Sequence, residues 1–263
     1  VPMKDEYVNN HTALENIGYD RNTYYYTIYV GDYDSSAWLK EHIYKMWINR
    51  GGDKKRGTLP LMWSINPNLS DRVPMVFDYV YENKTTNDYF VTGDSGAGYV
   101  IPSLLPEYDS WVEFNAPYLS KFDMDIVGFI INGNNVLTDA ILRAYAEIAP
   151  IGSFHNDSSQ KLIVYNGKTV YMHLMNGINP ENPSTPDENG VSQLDKMYDY
   201  ITKTGTNFSA YRTVVRAPSD VNKCIEEFIA YANAKNDGYT YVYVDPYTLF
   251  DLALQSGQGR YVY

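Results

Sequence analysis

Along this chain, segments that read as strands buried on both faces alternate some seven times with segments whose apolar residues fall at helical spacing, and that alternation restricts the fold more than any other feature. The first example is the clearest. Residues 24–30, YYYTIYV, are aromatic and β-branched throughout with little polar alternation, as in a strand covered on both sides of a parallel sheet. Gly31-Asp32-Tyr33-Asp34-Ser35-Ser36 ends it, with Asp34, Ser35 and Ser36 available as N-cap, and Leu39, Ile43, Met46 and Trp47 then follow on one helical face.

The same pairing recurs down the chain. Further strands are expected at 59–65, 89–92, 125–131, 150–154, 209–215 and 239–244. Residues 161–165 and 169–174 read as a hairpin around Asn166-Gly167-Lys168, although the second run could instead be a barrel strand. Helical stripes are expected after Ser70-Asp71 (Val73, Val76, Phe77, Val80), within 106–121, at 137–148, at 192–202, from Pro218 onward (Val221, Cys224, Ile225, Phe228, Ile229), and in a short helix reaching Leu254. Residues 176–189, NGINPENPSTPDEN, are a long excursion without regular structure.

A parallel sheet with helices outside it, in a chain of 263 residues with 44% apolar content, predicts one α/β domain over residues 23–263: an irregular (β/α) TIM-like barrel with about seven strands. Residues 1–22 are polar and aperiodic and are expected to be a linker or N-terminal arm. A doubly wound open sheet is the alternative. Its dinucleotide fingerprint is missing, because Ile101 stands where the third glycine of G-x-G-x-x-G should be.

Charge narrows the partners. The net charge is −11, and no basic cluster is longer than Lys54-Lys55-Arg56, which argues against nucleic acid or an anionic membrane and for a neutral ligand. No apolar run reaches 18 residues, so no membrane span is expected. The single cysteine, Cys224, excludes an internal disulfide and a cysteine-based zinc site, and its place on a helical stripe reads as a buried structural thiol. The 27 tyrosines and four tryptophans offer flat faces with polar edges that suit sugar rings, as well as cores and interfaces.

Residues 91–102, VTGDSGAGYVIP, place Gly93, Gly96 and Gly98 directly after a strand, where a backbone can take positive φ and approach a ligand closely, or simply turn tightly. Asp94, Ser95 and Tyr99 add a carboxylate, a hydroxyl and a phenol. The run from Gly96 to Pro102 resembles the signature of the GxGYxYP family of glycoside hydrolase-like proteins, with Ile101 in place of the family's second tyrosine. YYYTIYVGDYDSSAWL is similar to that family's strand ending in Asp-x-Asp, RGTLPLMWSINPNLSD to its Arg-Gly and Trp-Ser/Thr-Ile-x-Pro segment, and YTYVYVDPYTLFDL to its last strand. The likeness spans residues 24–254 and implies the family's C-terminal barrel domain. The family usually carries a smaller domain in front, and the start at Val1 rather than Met suggests a trimmed chain. An extracellular or periplasmic bacterial protein is expected, with its signal segment outside this sequence.

In such a barrel the loops after the strands share one rim, and that rim holds the site. The catalytic candidates are Asp32, Asp34 and Asp94, since glycosidic cleavage needs one carboxylic acid to protonate the leaving oxygen and one carboxylate to attack or to activate water. Asp32 and Asp34 would have Cα atoms about 6.5 Å apart at a rise of about 3.3 Å per residue. That spacing suits catalysis, a divalent cation or helix capping alike. Substrate-binding candidates are Trp38 and Trp63 as stacking platforms, then Ser95, Gly96, Gly98, Tyr99, Asn132, His155 (with Asp157) and Asp245. No cofactor and no metal are expected: His11, His42, His155 and His173 include no pair at short ligand spacing, and neither Gly-x-Ser-x-Gly nor a Gly-Lys-Ser/Thr phosphate loop is present. The reading is a hydrolase acting on a neutral oligo- or polysaccharide; a non-catalytic carbohydrate-binding barrel is the alternative. Oligomeric state is left open.

Overall fold

The computed structural model describes residues 4–12, 18–33, 35–133 and 135–263. Their strands and α-helices run β1 (Thr23–Tyr33), α1 (Ser36–Ile43), β2 (Leu61–Ile65), α2 (Pro74–Asn83), β3 (Asp88–Asp94), α3 (Asp109–Lys121), β4 (Ile126–Ile130), α4 (Asp139–Ile148), β5 (Gly152–His155), β6 (Leu162–Tyr165), β7 (Thr169–Met175), α5 (Gln193–Lys203), β8 (Phe208–Val214), α6 (Pro218–Asn233), β9 (Thr240–Tyr243), α7 (Pro246–Ser256) and β10 (Arg260–Val262). Among these helices none is long and apolar enough to cross a membrane.

Seven strands, β1-β2-β3-β4-β5-β7-β8, pair in parallel and close back on β1 as a barrel with the helices outside it. The two readings of residues 161–174 both hold. β6 and β7 form the antiparallel hairpin, and β7 is also the barrel strand between β5 and β8. β9 is the exception among the expected strands: it lies beside Thr23–Tyr26, end to end with β2, which takes the same edge of β1 from Tyr29 onward. β6 likewise takes the lower part of the β7 edge that β8 occupies above.

These two interlopers widen the amino-terminal end, and α7 fills it. Tyr25, Met62, Tyr89, Ile126, Phe154 and Met172 face inward and merge with Tyr247, Leu249, Phe250 and Leu252 of α7 in one apolar cluster. Burying each such side chain stabilises the fold by about 1.5–3 kcal/mol. The opposite faces of the strands, with Tyr26, Ile28, Val30, Trp63 and Phe90, pack under the outer helices.

Local chemistry starts the helices. Ser35, of the three expected candidates, caps α1 by accepting from the Trp38 N–H, and Ser192 and Asp195 form a capping box on α5. Ser70 and Asp71 instead belong to a short 3-10 turn, and α2 opens at Pro74. Cys224 is buried, and burial pushes its thiol up to about 12, in keeping with a structural thiol.

The Arg-Gly and Trp-Ser-Ile segment also has a structural reason. The fully buried Asp88 carboxylate accepts from Arg56 Nη1 (2.7 Å), Trp63 Nε1 (2.8 Å), and the Thr85 N–H (2.7 Å) and hydroxyl (2.9 Å). The Arg56 guanidinium in turn lies 4.0 Å from the centre of the Trp47 ring. Trp63 is therefore a buried core residue beside Tyr33 and Trp47, with no indole face at the rim for a sugar.

Candidate active site

The carboxyl-terminal mouth of the barrel is built around Arg212. This residue follows the inward-facing Ala210 on β8 at strand spacing, so its guanidinium enters the mouth. Nη2 donates to Asp32 Oδ1 at 2.6 Å, Nη1 donates to Asn176 Oδ1 at 2.9 Å, and the group lies 5.2 Å from the centre of the Phe129 ring. Asp32 ends β1 with 30% of its side chain exposed, against 14% for Arg212, so the pair sits at the boundary between interior and solvent.

Below it lies Tyr29, fully buried, with its hydroxyl 3.4 Å from Asp94 Oδ1. Burial, then the neighbouring Asp94, drive this phenol's pKa well above its ordinary value, and Arg212 and Asp32 are close enough to act on it as well. The ring needs two glycines. A methyl group at Gly31 would come within 2.7 Å of it, and one at Gly128 within 2.5 Å of it and 2.4 Å of the Thr92 carbonyl oxygen. Asp94, from β3, thus lies against this phenol, and the Arg212–Asp32 pair, from β8 and β1, is near enough for its charge to act on it.

Two further features mark this end of the barrel. Asp32 (φ 69°), Ser95 (φ 63°) and Val215 (φ 39°) all hold left-handed backbone conformations at the ends of β1, β3 and β8, which for a β-branched valine is costly. Polar atoms there are also unspent: Arg212 Nε and Asn66 Oδ1 are buried without a hydrogen-bond partner among the described residues. Ser64 lies against the Tyr29 hydroxyl, and Asn66 against Gly93. A buried polar atom without a protein partner is one that a water or a ligand can meet.

The glycine-rich loop serves the architecture. Ser95 is fully buried and every polar atom is engaged: its N–H donates to Phe129 O (2.7 Å), its Oγ accepts from the Ile131 N–H (3.1 Å), and its carbonyl accepts from the Tyr145 hydroxyl (3.1 Å). A methyl group at Gly96 would meet Asn115 Oδ1 at 2.5 Å, the same oxygen that accepts from the Ala97 N–H, and one at Gly98 would meet Asn68 Nδ2 at 3.2 Å. Only Tyr99 reaches out of the loop, 59% exposed.

Other expected site residues divide sharply. Trp38, 46% exposed in the first turn of α1, keeps an indole available beside β1. Asp34 lies outside the described residues. Asn132 is buried and organises its loop, accepting from the Ser103 N–H and donating toward the Asn135 and Val136 carbonyls. Asp245 lies away from the rim, because β9 pairs with the first residues of β1; its carboxylate caps α7 through the Tyr247 and Thr248 N–H groups.

His155 is fully buried in a polar cluster rather than solvated on a loop. Its Nδ1 accepts from the Asp157 N–H (3.1 Å), and its ring packs 5.8 Å from that of His173. Burial, then His173, bring His155 down to about 3, and burial brings His173 to about 4. Burial works against ionising Asp157, but hydrogen bonds from Ser159 and the Leu137 N–H outweigh it and hold the carboxyl below its ordinary range.

Tyr29 and Arg212 carry the mouth and stand out only in retrospect. Tyr29 reads as one more core aromatic in YYYTIYV. Arg212 is a lone cation inside the strand FSAYRTV, and that anomaly is its signal. Arg216, the cation nearer the strand end, pairs with Glu181 at 2.7 Å.

The fold recurs in solved structures. A "putative hydrolase" from Bacteroides thetaiotaomicron VPI-5482 aligns with a TM-score of 0.67 at 19% identity, covering 95% of this chain and 48% of that one, so this chain spans about half its length. A "putative polysaccharide deacetylase" from Mycobacterium smegmatis aligns with a TM-score of 0.52 at 9% identity over 94% of this chain and 96% of that one. At these identities the likeness is one of fold. No curated protein matches the sequence. Residues 22–253 match the family described as "GxGYxYP putative glycoside hydrolase C-terminal domain", and the chain belongs to that family.

Proposed function

We propose that this barrel is a glycoside hydrolase working at its carboxyl-terminal mouth, with Asp32 and Asp94 as the reacting carboxyl groups. Asp94 against the Tyr29 hydroxyl, with the Arg212–Asp32 ion pair close enough for its charge to act on the same phenol, carries the reading. Family membership supports the same reaction class.

Roles follow from surroundings. Arg212 holds Asp32 as a carboxylate, suited to attack the anomeric carbon or to take a proton from water. Asp94, the more buried of the two carboxyl groups, is assigned the part of proton donor to the leaving oxygen. The unspent Arg212 Nε and Asn66 Oδ1 suit the hydroxyls of a neutral sugar, and Trp38 and Tyr99 offer exposed rings for the flanking units of an oligo- or polysaccharide.

One observation favours a second reading: the Asp32 carboxylate is already committed to Arg212 at 2.6 Å, which suits a barrel that holds glycan without cleaving it. Reducing-end release from a panel of neutral glycans by the wild type, Asp32→Asn and Asp94→Asn separates the two. Hydrolysis predicts release by the wild type and a loss of about 100-fold or more in each variant, the scale of acid–base catalysis. Glycan binding without release from any panel member would sink the enzyme reading, and full activity of Asp94→Asn would sink the assigned roles.

A further inference from the structure

At the opposite end of the barrel, three metal-ligating groups come together from distant parts of the chain. His11 places Nε2 2.9 Å from Asp123 Oδ2 and Nδ1 3.4 Å from Asp125 Oδ2. One potential ligand atom from each of the three lies within 4.8 Å of the other two. The segment that brings His11 is firmly seated: the Tyr7 N–H donates to Lys121 O (2.9 Å), the Asn9 N–H to Asp123 Oδ2 (2.8 Å), and Asn9 Nδ2 to Phe90 O (2.7 Å).

Two observations outside this trio point to a ligand. Tyr247, on the helix that fills the barrel floor, is 4% exposed with its ring centre 4.9 Å from that of His11. Its hydroxyl is buried without a hydrogen-bond partner among the described residues, and the charges acting on it most strongly are Asp125 and then Asp123. A buried hydroxyl left unpaired is destabilising unless something comes to meet it. Beside the same carboxylates, a cavity of about 310 Å³ is lined by Asp123, Asp125, Glu147 and Ser120, which leaves room for water and a third carboxylate. Hydrogen bonding of His11 to the two carboxylates accounts for the trio's contacts. It leaves the Tyr247 hydroxyl and the acidic cavity unexplained.

We propose that His11, Asp123 and Asp125 form a divalent-cation site, of the kind taken by Zn²⁺ or Mn²⁺, that ties the N-terminal segment to the floor of the barrel. An imidazole with two carboxylates is a donor set for such ions, whereas Ca²⁺ and Mg²⁺ take oxygen ligands. The 3.4 Å between His11 Nδ1 and Asp125 Oδ2 equals the edge of a tetrahedron whose bonds are about 2.1 Å. Tyr247 and the cavity then supply a hydrogen bond and space for water on the ion.

The site is independent of the reaction at the mouth, and so is its test. The full chain is stripped with EDTA, then titrated with Zn²⁺, Mn²⁺ and Ca²⁺ by calorimetry, with Co²⁺ absorption as a report on ligand geometry. One equivalent of Zn²⁺ or Mn²⁺ is expected to bind and raise Tm, with Ca²⁺ weaker. His11→Gln, which keeps a hydrogen bond but offers no imidazole, and Asp125→Asn should each weaken that binding by about 10–100-fold or more, with the metal-free Tm showing that the variant is folded. Absence of saturable Zn²⁺ or Mn²⁺ binding to the wild type at millimolar metal, or wild-type binding by a folded His11→Gln, would overturn the proposal.

Discussion

Acid should weaken this fold through His155 before its carboxylates protonate. In the folded protein burial holds His155 near 3, and its Nδ1 accepts from the Asp157 N–H, so protonation there would also break a 3.1 Å hydrogen bond. In the unfolded chain an imidazole titrates at about 6.5. Below that value the unfolded state binds the proton and the folded state does not, so the stability is fully present at high pH and is lost as pH falls from about 6.5 toward 3. Each unit within that window is worth about 1.4 kcal/mol, which makes the loss between about pH 7 and about pH 5 roughly 2 kcal/mol for this side chain alone.

His173, brought to about 4, acts with the same sign, but it is only partly buried and solvent screening reduces its share. Urea denaturation of the wild type and of His155→Gln at a series of pH values tests the argument. The wild type should lose stability steadily over this window, and the variant should lose about 2 kcal/mol less, whatever its starting stability. Equal pH slopes in the two proteins would refute the reasoning, because the burial of a neutral His155 is its only premise.

The remaining expectations concern packing. Asp88→Ala should cost about 3–5 kcal/mol, because Arg56 and Trp63 Nε1 would be left facing a buried gap, and a Tm near that of the wild type would mean that the carboxylate is not the hub it looks to be. Gly128→Ala places a methyl group 2.4 Å from a backbone carbonyl and 2.5 Å from the Tyr29 ring, which should cost about 1–3 kcal/mol and shift that phenol away from Asp94. Unchanged stability and glycan turnover in that variant would contradict the packing of Tyr29 between two glycines.

Much of the architecture was legible because the two apolar periods differ so plainly. A run such as YYYTIYV, closed by Gly-Asp and followed by a helical stripe, has few other places to go than a covered parallel strand. The floor was harder to foresee. Residues 239–244 read as one more barrel strand, and nothing local says that β9 pairs only with the start of β1 or that the following helix turns inward; β10 gave no signal in so short a run. That misplacement carried Asp245 to the rim on paper. Trp63 misled for a related reason: alternation along β2 puts Met62 inside the barrel and Trp63 outside it, but a strand apolar on both faces hides which set is which. The carboxylates of the mouth were within reach because they end strands. Arg212 lies inside one, where its residue type and not its position is informative.

The helix that fills the barrel floor follows all seven barrel strands in chain order, and the strand it packs against, β1, precedes the other six. During synthesis β1 therefore emerges long before β8, β9 or α7 can cover it, and its aromatic inner face must wait for every later strand of the barrel. Removing residues 240–263 would accordingly leave more than a frayed end: it would uncork the interior, and the shortened polypeptide should emerge as an aggregating species with little residual native structure.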